Sequence, residues 1–330
     1  MTRPRLLLTR RIPEPGFSLV HEAFAVRGGG EDRPLDRGEL LRNVSGVDAI
    51  LSLLTELIDG PVMEAAGSRL RVISNMAVGF DNVDVPVATA RGILVTNTPG
   101  VLTEATADLT WTLILSVARR VVEGDRMVRE GRFDRWSPFM LLGRAVAGAT
   151  LGVVGMGRIG QAVARRASGF DMRVLYTRPS GPLSPEQVPA PARWEFRPGL
   201  DQLLAEADIV SLHVPLDADT HHLIGARELA LMRPGSYLVN TSRGPVVDET
   251  ALVESLRARH LGGAGLDVYE REPELAAGLA GLSNAVLLPH LGSATVETRG
   301  RMAELAARNA IQAVRGEPVE HVVNPEVLRV

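Results

Sequence analysis

Three stretches of the sequence carry side chains that could transfer a proton and bind an anion. The segment YLVNTSRG contains Arg243, GLDVYEREP contains Glu270 and Glu272, and LLPHLGSAT contains His290. A histidine can give and take a proton near neutral pH, and a carboxylate can orient an imidazole and stabilise its charged form. A guanidinium binds a planar anion through a fixed fork of donors. These residue types in this order are therefore candidates for acid–base chemistry on an anionic substrate.

Each of these residues also has a structural interpretation when it is taken alone. Arg243 could be a surface arginine at the end of a strand, and His290, beside Pro289, could be a capping or core histidine. Glu272 could be a solvated loop residue, and Glu270 competes with it for any catalytic role. Their spacing alone does not decide among these alternatives.

A glycine-rich segment between these residues and the N-terminus indicates a nucleotide site. In GVVGMGRIG, the residues Gly155, Gly157 and Gly160 form a G-x-G-x-x-G pattern between an apolar run and QAVARRASGF, which has helical spacing. The glycines would allow a tight turn, a close approach of the backbone to a pyrophosphate, and close packing of the helix. The pattern predicts dinucleotide binding, and the structural alternative is an ordinary strand-to-helix turn.

A methyltransferase could place a similar loop after its first strand, with an acidic residue at the end of the next strand to hold ribose hydroxyls. The next apolar run, MRVLYT, ends in Thr177, Arg178, Pro179 and Ser180, none of which is acidic. The same absence bears on the choice of cofactor, because an acidic residue there accepts hydrogen bonds from the ribose of NAD and repels the 2′-phosphate of NADP.

Apolar runs that alternate with helical patterns predict an α/β fold with parallel sheets. One series comprises 5–8, 48–53, 70–74 and 93–96, and a second begins near Ala149 and contains six runs. One helix is expected from Thr103 to about Arg129 and another from about Thr295 to Arg315, and the Pro-rich segment 179–198 is expected to be irregular. We therefore expect two doubly wound parallel-sheet (Rossmann/flavodoxin-like) domains with the active site in the cleft between them. The expected boundaries are 1–99 with 291–330 for a substrate-binding domain and 100–290 for a dinucleotide-binding domain.

Composition excludes several classes of site. The 330 residues include no cysteine and no lysine, because all 36 basic residues are arginine. Disulfides, thiolate nucleophiles, Schiff bases and a Walker A lysine are thereby excluded. The formal net charge of −3 gives no indication of nucleic-acid binding, and we expect no metal site. No window reaches the ~18 apolar residues of a membrane helix, and the first apolar run is too short for a secretory signal, so a cytoplasmic protein is expected.

The motifs together resemble the D-isomer-specific 2-hydroxyacid dehydrogenase family. The resemblance rests on NMAVGFDNVDV, TEATADLT, GVVGMGRIG, NTSRG, GLDVYEREP and PHLGSAT, which occur in that order along nearly the whole chain. LLPHLGSAT and the segment around Trp136 make the glyoxylate/hydroxypyruvate reductases the most similar members. The resemblance implies NAD(P)-dependent reduction of a small 2-keto acid. Other 2-hydroxyacid dehydrogenases, such as a phosphoglycerate-type enzyme, and a dinucleotide-sensing corepressor-like protein remain alternatives.

The resemblance also implies roles for individual residues. His290 would be the general acid, and the family pattern of Glu before Pro selects Glu272 as its partner. Arg243 would bind the substrate carboxylate together with the backbone amides of Val78 and Gly79. The implied cofactor-binding residues are Thr106, Gly155, Gly157, Arg158, Ile159, Gly160, Thr177, Arg178, Pro215, Thr241, Asp267 and Gly292, with Asp267 taking the nicotinamide carboxamide.

Two further expectations concern the cofactor and the assembly. Arg178 stands where a 2′-phosphate would lie, so NADPH is expected rather than NADH, unless the arginine stacks on the adenine and accepts either. The helix that begins at Thr103 and the loop containing Trp136, Phe139, Met140, Leu141 and Leu142 carry many apolar residues, so a homodimer is expected. In that dimer Trp136 would help to close the partner's substrate pocket. The alternative is that this loop folds onto its own domain.

Overall fold

A computed structural model describes residues 3–189 and 193–329. Within it the chain divides into two compact units, Met1–Leu102 with Ala294–Val330, and Thr103–Ser293. The twelve strands in the described residues are β1 Arg5–Leu8, β2 Ala25–Gly28, β3 Ala49–Ser52, β4 Val72–Asn75, β5 Leu94–Thr96, β6 Thr150–Val154, β7 Arg173–Thr177, β8 Trp194–Phe196, β9 Ile209–Leu212, β10 Tyr237–Asn240, β11 Gly263–Leu266 and β12 Ala285–Leu287. The eleven α-helices of the same residues are α1 Gly16–Ala23, α2 Arg37–Asn43, α3 Gly60–Ala66, α4 Val85–Ala90, α5 Thr103–Ala118, α6 Val121–Arg129, α7 Arg158–Ala167, α8 Leu200–Glu206, α9 Ala226–Leu231, α10 Glu249–Arg257 and α11 Val296–Arg315. Short 3₁₀ helices lie at Ser168–Phe170, Pro185–Gln187, Gly244–Val246, Leu279–Gly281 and Pro325–Arg329.

The first unit is built on a five-stranded parallel sheet with the order β2-β1-β3-β4-β5. Its central strands are apolar along most of their length because both faces of the sheet are covered, and the three leucines of β1 have no exposed surface. Helix α11, from the C-terminal end of the chain, packs on one face, where the Ser74 hydroxyl donates to the carbonyl oxygen of Ala306 over 2.8 Å. Residues from both ends of the chain therefore complete this unit.

The second unit contains a seven-stranded parallel sheet with the order β12-β11-β10-β9-β6-β7-β8. Helix α5 covers one face of it, and the indole N–H of Trp111 donates to the carbonyl oxygen of Val163 in α7 over 3.0 Å. Because the strands are parallel, the C-terminal ends of β6, β9, β10 and β11 lie at one edge, where ligands bind in open α/β sheets. The expected fold class of two parallel-sheet α/β domains is confirmed.

Three expectations need correction. The predicted helix Thr103–Arg129 is two helices, because Arg120 adopts a left-handed conformation (φ 54°) between α5 and α6. Much of the apolar face of α5 is not exposed, since Trp111, Leu113, Ile114 and Val117 lie in the core of the second unit. The segment 179–198 is not irregular throughout, because it contains β8 and a 3₁₀ turn; residues 190–192 of that segment lie outside the described residues.

No helix within the described residues is both long enough and apolar enough to span a bilayer.

Candidate active site

The glycine-rich loop joins β6 to α7 and exposes bare backbone at the start of a ten-residue helix. Gly155 has φ +92°, and a Cβ atom there would lie 2.5 Å from the carbonyl oxygen of His213. Gly157 is the N-cap of α7, and a Cβ there would meet no atom within 4 Å. The open space above Gly157 and the amides of a helix start fit a pyrophosphate, so the residues present are suited to a dinucleotide.

The third glycine sets the contact between the helix and the loop. A Cβ atom on Gly160 would lie 2.2 Å from the carbonyl oxygen of Gly155 and 3.1 Å from Val153 Cγ1. Only a glycine allows α7 to begin this close to the end of β6. The predicted cofactor residues Arg158 and Ile159 occupy the first two positions of α7.

Other predicted cofactor residues lie at the ends of neighbouring strands. Thr177 ends β7, and its carbonyl oxygen accepts the N–H of Gly155 over 3.0 Å. Arg178 follows, and its Nε donates to the hydroxyl of Ser180 over 2.6 Å. No acidic residue occurs in the segment 177–180, so a cationic side chain stands at the end of the second strand of this sheet.

Two threonines connect α5 with the loops at the same edge. The Thr106 hydroxyl donates to the carbonyl oxygen of Gly292 over 3.1 Å, and the Thr110 and Thr241 hydroxyl oxygens are 3.0 Å apart. The carbonyl oxygen of Pro215, after β9, accepts the hydroxyl of Thr220.

A histidine–carboxylate pair follows the last two strands of the sheet. His290 Nδ1 lies 3.0 Å from Glu272 Oε2, and Glu272 Oε1 accepts the backbone N–H of Tyr269 over 3.1 Å. The two side chains are 33% and 37% exposed, so the pair is reachable from solvent. Burial raises the pKa of Glu272, but the hydrogen bond and the charge of His290 outweigh it and leave that pKa below its usual value. With Nδ1 against the carboxylate, Nε2 is the nitrogen left for a substrate.

Asp267 fixes the backbone that carries His290. Its Oδ1 accepts the N–H of Leu291 over 2.7 Å, its Oδ2 accepts the N–H of Gly292 over 2.8 Å, and its carbonyl oxygen accepts the N–H of His290. His290 has a left-handed backbone (φ 55°), which these three bonds hold in place. Burial raises the pKa of Asp267, opposed by the two N–H donors and by the charge of His290. That Asp267 also takes the nicotinamide carboxamide stays a prediction.

Arg243 lies after β10, on the loop beside this pair. The side chain of Asn240 braces the loop, since its Nδ2 donates to the carbonyl oxygen of Arg243 and its Oδ1 accepts the N–H of Ser242. Nη1 of Arg243 donates to the carbonyl oxygen of Ser242 over 2.9 Å. Its positive charge also contributes to the lowered pKa of Glu272. Thus the second unit brings a cation, a histidine and a carboxylate together at one edge of its sheet.

The competing carboxylate has a different partner. Glu270 Oε1 lies 2.7 Å from His222 Nε2, and Glu270 Oε2 accepts the N–H of Glu249 over 3.2 Å. Nothing in the sequence pattern paired His222 with Glu270. The only available signal was the position of His222 after β9, at the same sheet edge.

Two predicted substrate groups lie elsewhere in the chain. Val78 and Gly79 follow β4 of the first unit, and both are partly exposed. Trp136 lies in the loop after α6 and is 75% exposed. In the part of the chain that the structure describes, no group of three or more His, Cys, Asp and Glu residues could hold a metal ion.

Known proteins match this chain over nearly its whole length. Residues 111–292 match the family model described as "D-isomer specific 2-hydroxyacid dehydrogenase, NAD binding domain". A glyoxylate reductase of Thermococcus gammatolerans is 50% identical over 99% of this chain and 98% of its own.

Solved structures share the fold. A protein from Thermus thermophilus is 46% identical, with a TM-score of 0.88 over 97% of this chain and 99% of its own. An NADPH-dependent glyoxylate/hydroxypyruvate reductase from Sinorhizobium meliloti, solved with NADP and malonate, is 33% identical, with a TM-score of 0.84 over 98% of this chain and 97% of its own. The resemblance seen in the sequence motifs is confirmed: the chain belongs to the D-isomer specific 2-hydroxyacid dehydrogenase family, whose dinucleotide-binding domain it contains.

Proposed function

We propose that this enzyme reduces glyoxylate, and hydroxypyruvate as a related substrate, to glycolate and D-glycerate with NADPH. The observation that carries the proposal is the Glu272–His290 pair beside Arg243, on the same sheet as the glycine loop. These groups suit a small anionic keto acid, because they offer a proton donor and a cation. The similar proteins of Thermococcus gammatolerans and Sinorhizobium meliloti are named for glyoxylate reduction, and this supports the choice of glyoxylate.

The reaction needs a proton at the carbonyl oxygen while hydride arrives at the carbonyl carbon. A reduced nicotinamide supplies that hydride when it is bound. His290 donates the proton from Nε2, because its Nδ1 is held by Glu272. Glu272 stays ionised, consistent with its lowered pKa, and stabilises the imidazolium before it gives up its proton.

Substrate binding is assigned to cationic and amide donors. Arg243 binds the carboxylate and polarises the carbonyl through its guanidinium fork. In the first unit, the N–H groups of Val78 and Gly79 donate to the same carboxylate. On this proposal the first unit, expected from the sequence as 1–99 with 291–330, is the substrate-binding domain, and the second unit, expected as 100–290, is the dinucleotide-binding domain.

The preference for NADPH is assigned to Arg178. Its guanidinium follows β7, where the adenosine ribose of a dinucleotide would lie, and Thr177 and Ser180 add hydroxyl donors. Support comes from the absence of an acidic residue in this turn and from the NADP complex of the Sinorhizobium meliloti relative. The remaining predicted contacts to the cofactor are Thr106, the glycine loop with Arg158 and Ile159, Pro215, Thr241, Asp267 and Gly292.

A homodimer is proposed from the exposed apolar side chains that follow α5. Phe133, Trp136, Phe139 and Leu142 in the loop are 50%, 75%, 81% and 63% exposed. Val121, Val122 and Val128 of α6 add to this surface, beside a groove of about 770 Å³ that Val122, Met127, Leu141 and Leu142 help to line. A surface of this kind usually marks an interface, and Trp136 would reach the partner's substrate pocket.

The test is steady-state turnover of NADPH with glyoxylate and a panel of other 2-keto acids. His290→Ala is expected to lower kcat by about 10²–10⁴-fold, the usual size of a general acid–base contribution, while NADPH affinity is retained. The matched control is His222→Ala, which removes a comparable histidine–carboxylate pair from the same unit and is expected to leave turnover within about threefold. Arg243→Lys is expected to raise KM for the keto acid, since an ammonium cannot reproduce the planar fork.

Two results would count against the proposal. A His290→Ala enzyme that kept more than about a tenth of native turnover would remove His290 from the mechanism. A native protein that bound NADPH tightly but reduced none of the keto acids would favour a dinucleotide-sensing role instead.

A further inference from the structure

The loop after β4 holds three consecutive carbonyl oxygens in hydrogen bonds. The carbonyl oxygen of Ala77 accepts the N–H of Thr98 over 2.8 Å, and that of Val78 accepts Nδ2 of Asn97 over 2.7 Å. The carbonyl oxygen of Gly79 accepts Nδ2 of Asn75 over 3.0 Å. The loop therefore has its acceptors satisfied by the first unit itself.

These bonds also fix where the loop's amide hydrogens point. A peptide group is planar and trans, so its C=O and N–H groups point in opposite directions. The bond from Thr98 to Ala77 thus orients the N–H of Val78, and the bond from Asn97 to Val78 orients the N–H of Gly79. Within residues 3–189 and 193–329, neither of these two N–H groups has a hydrogen-bond partner.

Two adjacent N–H groups that are oriented and have no partner in the described residues are available to donate to an anion. The preceding Met76 and Ala77 are buried, so the donors stand on a rigid base. An unpaired backbone donor at such a place is costly unless a ligand or water satisfies it.

Both the backbone and the side chain of Asn97 are held in place. The backbone carbonyl oxygen of Asn97 accepts Nδ2 of Asn309 in α11 over 3.1 Å, and its backbone N–H donates to the carbonyl oxygen of His321 over 3.3 Å. Because its Nδ2 faces a carbonyl oxygen, the amide cannot be flipped without placing two oxygens together. A neutral amide is suited to this task, since it donates without adding a charge that would itself attract or repel a carboxylate.

We propose that Asn97 is a positioning residue for substrate binding: by holding the Val78 carbonyl it aims the N–H of Gly79 at the substrate carboxylate. The inference rests on the proposed function, in which Val78 and Gly79 bind that carboxylate. Asn97 does not touch the substrate and takes no part in proton transfer. Substitution of Asn97 should therefore weaken binding of the anion and leave the rate of the chemical step largely unchanged.

The experiment compares Asn97→Asp and Asn97→Ala with a matched control. Asn97→Asp keeps the shape of the side chain and replaces the Nδ2 donor by an oxygen that can only accept. The control is Asn324→Asp, because Asn324 is a buried asparagine of the same unit whose Nδ2 likewise donates to a carbonyl oxygen, that of Ile93, over 2.9 Å. We measure kcat and KM for glyoxylate, the Kd of NADPH, the Kd of oxalate by calorimetry, and Tm.

Both Asn97 variants are expected to raise KM for glyoxylate and the Kd of oxalate by about tenfold or more, the effect of losing one hydrogen bond to a charged group. We expect kcat to stay within about threefold and the Kd of NADPH within about twofold. Asn324→Asp is expected to lower Tm at least as much as the Asn97 variants do. It should leave KM for glyoxylate and the Kd of oxalate at their native values, since it does not alter the loop 77–80.

Native KM and oxalate Kd in both Asn97 variants would overturn the inference, as would an equal rise in the Asn324→Asp control. A native protein that did not bind oxalate would overturn the inference as well. If the native protein reduced no keto acid, the proposed function would fail, and the oxalate Kd ratios alone would decide whether Asn97 positions the amides.

Discussion

The three glycines of the nucleotide loop have different tasks in the structure, and alanine substitutions separate them. In Gly160→Ala the new Cβ would lie 2.2 Å from the carbonyl oxygen of Gly155. The start of α7 would have to move by roughly 1 Å to reach an ordinary contact distance. In Gly157→Ala the new Cβ would meet no protein atom within 4 Å, and φ −80° suits any residue.

The magnitudes follow from these contacts. Overpacking costs about 1–3 kcal/mol, and a clash between two backbone segments belongs at the upper end. Replacing a helical glycine by alanine stabilises the helix by up to about 1 kcal/mol. The free energy of unfolding of Gly160→Ala should therefore be about 2 kcal/mol lower than that of the native protein. For a unit of this size that corresponds to a Tm lower by roughly 4–8 °C. Gly157→Ala should cost about 0.5–1 kcal/mol as an N-cap but block the approach of a pyrophosphate, weakening NADPH binding by about tenfold or more.

The assay is thermal unfolding by circular dichroism together with NADPH titration by fluorescence. Gly169→Ala is the control, because its Cβ would also meet no atom within 4 Å and it lies beyond the C-terminal end of α7. We expect it to be native in Tm and in NADPH affinity. A native Tm in Gly160→Ala would refute the packing argument, and native NADPH affinity in Gly157→Ala would refute the assignment of the loop as the pyrophosphate site.

Three further predictions concern cofactor choice, assembly and pH. The ratio of kcat/KM for NADPH over NADH should exceed about ten in the native protein and fall towards one in Arg178→Ala. A native ratio near one would contradict the preference for NADPH. A high ratio that persisted in Arg178→Ala would show that Arg178 is not the source of the preference. Light scattering at micromolar concentration should give twice the chain mass of 35.4 kDa, and a monomer mass would contradict the proposed dimer. Burial lowers the pKa of His213 to about 3, so the neutral imidazole stabilises the fold fully above pH 6.5 and this stabilisation is lost as the pH falls from there towards 3. Between pH 7 and pH 5 the loss should be about 2 kcal/mol, and His213→Gln should remove that part of the pH dependence in chemical denaturation; an unchanged slope would contradict it.

Most of the strands that could be predicted from the sequence lie inside a sheet and are buried on both faces. The run Leu6–Leu8 and the runs that form β6, β9, β10 and β11 are apolar because helices cover both sides of a parallel sheet. The edge strands β5 and β12 were also predicted, because their residues are apolar although they lie at the sheet edges. The strands that were missed, β2 and β8, lie at the sheet edges. They are short and contain the charged Arg27 and Glu195, so neither produces an apolar run.

Local backbone conformations and hydrogen-bond partners were harder to predict from the sequence. The break between α5 and α6 occurs at an arginine with positive φ, where the sequence has neither glycine nor proline as a signal. The choice between Glu270 and Glu272 could be made from family resemblance but not from spacing, because both follow the same strand. Only the folded structure shows Glu270 against His222 and Glu272 against His290. The role of Asp267 in holding a left-handed His290 likewise depends on backbone geometry that side-chain types do not reveal.

The return of the chain from the second unit to the first has a consequence for biosynthesis. The sheet of the first unit needs α11, whose Ala303, Ala306 and Ala307 are buried against it, yet that helix is translated after everything in Thr103–Ser293. At about 5–20 residues per second the ribosome needs roughly 10–40 s to make the intervening stretch. During that interval the apolar face around Val72 and Leu51 has no cover, while the second unit is continuous and can fold on emerging. A premature stop before Ala294 would therefore release a chain with one finished unit and one open, aggregation-prone sheet.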